Sequence, residues 1–184
     1  MLKVIHYEVD INYANAFLVY ESTTGEAFLV DCGAYDDRIV EACKSKQLHV
    51  QSILITHSHY DHIGGLDDFK KALKAKVYAY NLEGSKKVVD GDFIPFSNKK
   101  IKVMTTPGHI SDGISFYLAP FVFVGDAIFA GAVGGTADRA HFQEEIKHVE
   151  DKIFSLPDDT IIYPGHGAAT TVAVERFYNP FFVS

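Results

Sequence analysis

The chain has 184 residues with a net charge of −7, and 47% of them are hydrophobic against 22% charged. At roughly 100–200 residues per domain this is one domain, apolar enough to bury a core and excluded from the disordered class. The acidic balance argues against a nucleic-acid partner, since such partners are held by basic patches.

The first ten residues, MLKVIHYEVD, alternate apolar and polar positions and lack the apolar centre of a signal peptide. Their pattern predicts a half-buried strand over residues 4–10. Residues 15–20 and 27–31 flank the Thr24-Gly25 turn and predict a hairpin. Residues 36–46 carry Ile39, Val40 and Cys43 at helical spacing. With Cys32 and Cys43 the only cysteines, no disulfide framework is possible and a reducing cytoplasm is the expected compartment. Residues 52–56 (SILIT) predict a buried strand, and residues 64–73 a helix. Strands are expected at 76–80, 101–105, 114–119 and 121–124. The apolar stretch 114–125 is broken by Pro120 and stops at Asp126, short of the roughly 18 residues a membrane span needs. A helix is expected over 141–156, with Ile146, Val149, Ile153 and Phe154 on one face. A strand at 158–163 and a helix at 171–177 close the chain. Runs of strands with interspersed helices predict two packed sheets with helices outside them.

Nine histidines are unusual in a chain with three arginines and no tryptophan. Three of them fall in THSHYDHIGG, residues 56–65, which places His57, His59, Asp61 and His62 together after a buried strand. At this chain's own composition, H-x-H-x-D-H arises by accident in roughly two such chains per thousand. A loop leaving a strand can aim several side chains at one cavity. Imidazole nitrogen and carboxylate oxygen are ligands for Zn²⁺ and similar ions. Four ligands so close exceed what one tetrahedral ion takes from one loop, which suggests two ions. Three further segments put one ligand-type residue on a glycine-containing loop after a strand: His109 in TTPGHISD, Asp126 in FVGDAIF and His166 in YPGHG. Loops at strand ends are where sites are built. His6, His49, His141 and His148 fall on strand or helix faces and read as solvated or structural.

Together these segments resemble the metallo-β-lactamase superfamily. The T-H-x-H-x-D-H-x-G-G, T-P-G-H, G-D and P-G-H-G segments stand in that family's order. The resemblance runs from N-A-F-L-V (residues 15–19) and L-V-D-C-G (residues 29–33) to P-G-H-G-A-A-T-T…E-R…N-P-F (residues 164–181). That ending narrows it to the glyoxalase II-like branch. The resemblance implies a mixed α/β (α+β) fold, a four-layer αββα sandwich, forming a single unit over residues 1–184. It implies one metal held by His57, His59 and His109, and a second held by Asp61, His62 and His166, with Asp126 bridging. Asp61 and Asp126 are the implied catalytic carboxylates, and Asp31 is implied to orient a ligand histidine. Zinc is the expected ion, with iron or manganese as alternatives.

The implied reaction is attack by a metal-bound hydroxide on a thioester of glutathione or another small thiol. No G-x-S-x-G elbow competes with this, and neither cysteine has an activating context. The partner is thus a small molecule, with no nucleic acid and no membrane, and the oligomeric state is open. Two departures bear on substrate. The branch's G-R-T-D is here G-G-T-A, with Gly135 for the arginine and Ala137 for the aspartate, leaving Asp138 and Arg139 as stand-ins. The C-terminal helical extension whose basic residues hold glutathione in full-length glyoxalase II is not part of the matching pattern. The alternative on the same scaffold is a persulfide dioxygenase with one iron on His57, His109 and Asp126. A lactonase or β-lactamase ranks behind both.

Overall fold

The computed structural model describes residues 1–183. Strands β1 (Leu2–Glu8), β2 (Asn15–Glu21), β3 (Glu26–Val30), β4 (His49–Leu54), β5 (Lys76–Ala79) and β6 (Lys86–Lys87) form one sheet in that order. Next come β7 (Phe93–Phe96), β8 (Lys99–Thr105), β9 (Ile114–Leu118) and β10 (Phe121–Gly125). A small hairpin follows, β11 (Ile128–Phe129) with β12 (Ala132–Val133), and then β13 (Ile161–Pro164) and β14 (Thr170–Thr171). The second sheet runs β14-β13-β10-β9-β8-β7. The helices are α1 (Asp37–Ser45), α2 (Tyr60–Ile63), α3 (Leu66–Leu73), α4 (Arg139–His148) and α5 (Val172–Tyr178).

Period-two alternation sorts the layers. Phe17, Val19, Phe28, Val30 and Leu54 point from the first sheet into the space between sheets. There they meet Ile94, Phe96, Val103, Phe116 and Phe123 of the second. Phe28 meets Phe96 edge-on at a centroid distance of 4.8 Å. The intervening residues face outward. Leu18, Leu29 and Ile53 pack on Ile39 and Cys43 of α1 and Phe69 of α3. Val122, Val124 and Ile162 pack on Val149, Ile153 and Val172 from the helical segments of the other side. The architecture is therefore the expected αββα sandwich.

The differences from the sequence reading have local causes. β1 ends at Glu8, because residues 10–13 turn. β7 was not expected: Pro95 cannot donate to a ladder, so FIPF reads poorly as a strand, but β7 is an edge strand, where Pro is tolerated. The long helix begins at Arg139, capped by Asp138, whose Oδ1 accepts from the amides of Ala140 (2.8 Å) and His141 (2.9 Å). Asp138 thus serves as a helix cap, and Arg139 lies exposed on the first turn. From Val149 to Ile153 the helix widens to π geometry, and Val149 and Ile153 are both buried. Glu145, on the same helix, is fully buried as well, which the apolar pattern did not signal.

Candidate metal centre

Each of the seven expected ligand residues lies in a segment that leaves the C-terminal end of a strand. His57 and His59 follow β4, and Asp61 and His62 form the first turn of α2. His109 lies in the β8–β9 loop, Asp126 follows β10 and His166 follows β13. The seven side chains meet in three overlapping groups: His57-His59-His109, His57-His62-Asp126 and Asp61-His62-His166. Close backbone approach makes this possible. A Cβ on Gly165 would lie 2.1 Å from Asp126 Oδ1 and 2.7 Å from His62 Cε1, so only glycine fits beside His166. A Cβ on Gly33 would lie 1.7 Å from the Asp61 carbonyl oxygen.

The outward contacts of the histidines fix which nitrogen faces inward. His109 Nδ1 is 2.6 Å from the Gly135 carbonyl, which only accepts, so Nδ1 carries the proton and Nε2 presents its lone pair to the site. Thr56 Oγ1 has one hydrogen and gives it to Asp31 Oδ2 at 2.7 Å. It must therefore accept from His57 Nδ1 at 3.1 Å, which turns the lone pair of His57 Nε2 inward. Asp31 Oδ2 also accepts from His62 Nδ1 at 2.9 Å, and Asp31 Oδ1 accepts from the Thr56 amide at 2.8 Å. His62 Nε2 then faces Asp126 Oδ1 across 3.4 Å.

These inward atoms are electron-rich and crowded. His59 Nδ1 lies 3.1 Å from His57 Nε2 and 2.9 Å from His109 Nε2. Asp126 Oδ2 lies 3.6 Å from His109 Nε2 and 3.5 Å from His166 Nε2, and Asp61 Oδ2 lies 3.5 Å from the same His166 nitrogen. His62 Nε2 and Asp126 Oδ1 are buried without a hydrogen-bond partner. Lone pairs converging on a carboxylate call for positive charge between them, as protons or as metal cations. The donor set, five imidazoles and two carboxylates, fits divalent borderline ions.

The electrostatics of the cluster point the same way. Burial pushes His57 down to about 2, with neighbouring His62 adding to the effect. Burial also opposes charge on His62, but the Asp31 and Asp126 carboxylates outweigh it and raise His62 to about 10. Burial works against ionised Asp126, yet the His166 and His62 imidazoles that face it hold its carboxyl well below the usual range. His166 is raised, chiefly by its bond to Asp126. Glu145 sits behind His109, against Gly108 and Gly134, with both oxygens unpartnered, and burial raises it to about 8.

Several contributors were not singled out in the sequence. Thr56 and the Gly135 carbonyl fix two tautomers, and Glu145 backs the His109 loop. The Gly135 role uses main chain, which no residue type advertises. Asp31, implied only by resemblance, makes the three contacts described above. A cavity of about 700 Å³ lies at the other strand ends between Met1, Glu21, Ser97 and Pro120, away from every ligand-type group described.

The metallo-beta-lactamase superfamily model matches residues 9–87. A probable metallo-hydrolase of Streptococcus pyogenes serotype M6 is 32% identical, over 84% of this chain and 80% of that protein. The hydroxyacylglutathione hydrolase of Wigglesworthia glossinidia brevipalpis is 34% identical over 86% of this chain, but the match spans only 63% of that enzyme's length. Among solved structures, the BLEG-1 B3 metallo-beta-lactamase superposes with a TM-score of 0.87 at 27% identity, covering 100% of both chains. TTHA1623 in a di-iron-bound form superposes with a TM-score of 0.81 at 26% identity, covering 97% of this chain and 100% of that one.

Proposed function

The chain belongs to the metallo-beta-lactamase superfamily, and on that footing we propose that it is a dinuclear metal-dependent hydrolase acting on a thioester of glutathione or a similar small thiol. The observation that carries this is the facing of His62 Nε2 and Asp126 Oδ1, buried and unpartnered, at the meeting point of two ligand groups. His57, His59 and His109 would hold one ion, Asp61, His62 and His166 the other, and Asp126 would reach both. Zinc is the favoured ion, with iron and manganese sharing the same donor preferences. Two such ions would supply an acidified water and a polarised substrate carbonyl.

The chain's own groups then have definite tasks. His57 and His109 keep their protons on the outward nitrogens, bound to Thr56 and Gly135, so their inward lone pairs stay available, while Asp31 holds His62 through Nδ1 and an ion would take the place of the proton on its Nε2. Asp126, held ionised, remains an acceptor at neutral pH. Asp61 and Asp126 would be the carboxylates that orient the attacking water and take its proton. A thiolate leaves without a protein acid, since thiols ionise near pH 8.5. The thioester assignment is supported by the 34% identity to a hydroxyacylglutathione hydrolase. Residues 1–184 would form one catalytic unit, working on a small molecule in the cytoplasm. Both cysteines are buried and free, consistent with a reducing compartment. The test is thiol release from a panel of S-acyl thiols, S-lactoylglutathione included, before and after chelation. Activity that survives complete metal removal would refute the reading.

A further inference from the structure

Asp61 and His166 share a support that their role as ligands leaves unexplained: the turn between β1 and β2. Asn12 and Tyr13 there both adopt left-handed backbone, with φ of 51° and 55°. Two consecutive non-glycine residues in that region are costly and persist only where surrounding contacts fix them. The contacts are specific. Ala14 forms an isolated β-bridge with His166, and the Asn15 amide donates to the Gly165 carbonyl at 2.7 Å. The Asn15 side chain is buried and fully used. Its Nδ2 donates to the carbonyls of Pro164 (3.0 Å) and Gly167 (2.9 Å), on either side of His166. Its Oδ1 accepts from His6 Nε2 at 2.6 Å. Three residues earlier, Asn12 Nδ2 donates to Asp61 Oδ2 at 3.1 Å. Among the described residues, no hydrogen bond joins residues 10–15 to His57, His59 or His109.

We propose that Asn12 and Asn15 are positioning residues that set the affinity of the second metal ion and leave the first unaffected. The inference rests on the dinuclear reading above. Each acts through a neighbour: Asn12 holds the Asp61 carboxylate, and Asn15 holds both peptide groups that frame His166. Outer hydrogen bonds of this kind are worth about 10–100-fold in metal affinity. The turn thus decides whether the chain carries one ion or two under limiting metal.

The test is calorimetric titration of the metal-free full chain with Zn²⁺, repeated with Co²⁺ while visible spectra are recorded. The variants are Asn12→Gly and Asn15→Ala. Glycine suits a φ of 51°, so Asn12→Gly deletes the amide while the metal-free melting temperature is held. The expected result is an unchanged first equivalent and a second weakened about tenfold or more, with the Co²⁺ bands of the second equivalent reduced. Two equivalents bound as in the wild type would overturn the proposal while leaving the dinuclear reading intact. Equal weakening of both equivalents would overturn it too, by showing a general structural role. A wild-type chain that takes only one Zn²⁺ would refute the dinuclear reading and the proposal with it. Should Asn15→Ala fail to fold, Asn12→Gly decides.

Discussion

Two groups of three side chains meet across Asp126, and different parts of the chain hold them. His57 and His109 are fixed from loops, by Thr56 Oγ1 just past β4 and the Gly135 carbonyl just past β12. Asp61, His62 and His166 are fixed by Asn12, Asp31 and Asn15, all in the N-terminal part of the chain up to the residue that follows β3. Asp31 is the exception that joins the groups, since it also binds Thr56 and so reaches His57. The comparison teaches that one half of the site can be disturbed alone, and that the other can be disturbed through one shared carboxylate.

The largest expected effect comes from removing what both groups share. Asp126→Ala should lower thioester hydrolysis on the order of 10³-fold, since several kcal/mol of charge stabilisation at about 1.4 kcal/mol per tenfold is at stake. Both metal equivalents should weaken in elemental analysis; full retention of two would break the bridging assignment. His59→Ala should come close behind in activity, but with loss confined to the first equivalent. Gly165→Ala drives a Cβ to within 2.1 Å of Asp126 Oδ1 and should displace that carboxylate or His166. Its signature is a fall in kcat and metal content in a chain that still folds by circular dichroism.

Asp31→Asn sharpens the comparison. It removes the acceptor shared by Thr56 and His62, so both equivalents should weaken, by about 10–100-fold. Selective loss of one would show that the Thr56 link carries no weight. The smallest effect is read in stability. Glu145 has a folded value of about 8, above its ordinary 4.5. The stability it contributes is therefore full below about 4.5 and lost as pH rises through about 8. Between pH 5 and 8 the metal-free wild type should lose stability relative to Glu145→Gln, which has no carboxylate to ionise. Parallel denaturant midpoints for the two across that window would show that Glu145 is not a buried unpaired acid.

Much of the site was legible in the sequence because it is concentrated. H-x-H-x-D-H puts four ligand-type residues on one loop, and Pro-Gly or Gly-Asp steps mark the other three. The layers were legible because Phe17, Val19, Phe28 and Val30 alternate with Ala16, Leu18, Ala27 and Leu29, and both faces are apolar. What was not legible depends on long-range placement. Asn12 and Asn15 lie 49 and 149 residues from their partners Asp61 and Pro164, and an asparagine in or beside a turn has many ordinary reasons to be there. Glu145 sits in a helix whose sequence, RAHFQEEIKH, gives its two adjacent glutamates equal standing; only packing on Gly108 separates them. Asp138 and Arg139 were expected near substrate by position, but the helix starts earlier than its apolar stripe and takes Asp138 as its cap.

The central claim is that this chain hydrolyses a thioester with two metal ions. It is tested most directly by counting metal in the purified protein and assaying the same preparation for thiol release and oxygen uptake. The account predicts two ions per chain, thiol release that chelation abolishes and metal restores, and no oxygen consumed. One iron per chain, with oxygen consumed in step with a glutathione persulfide, would contradict it.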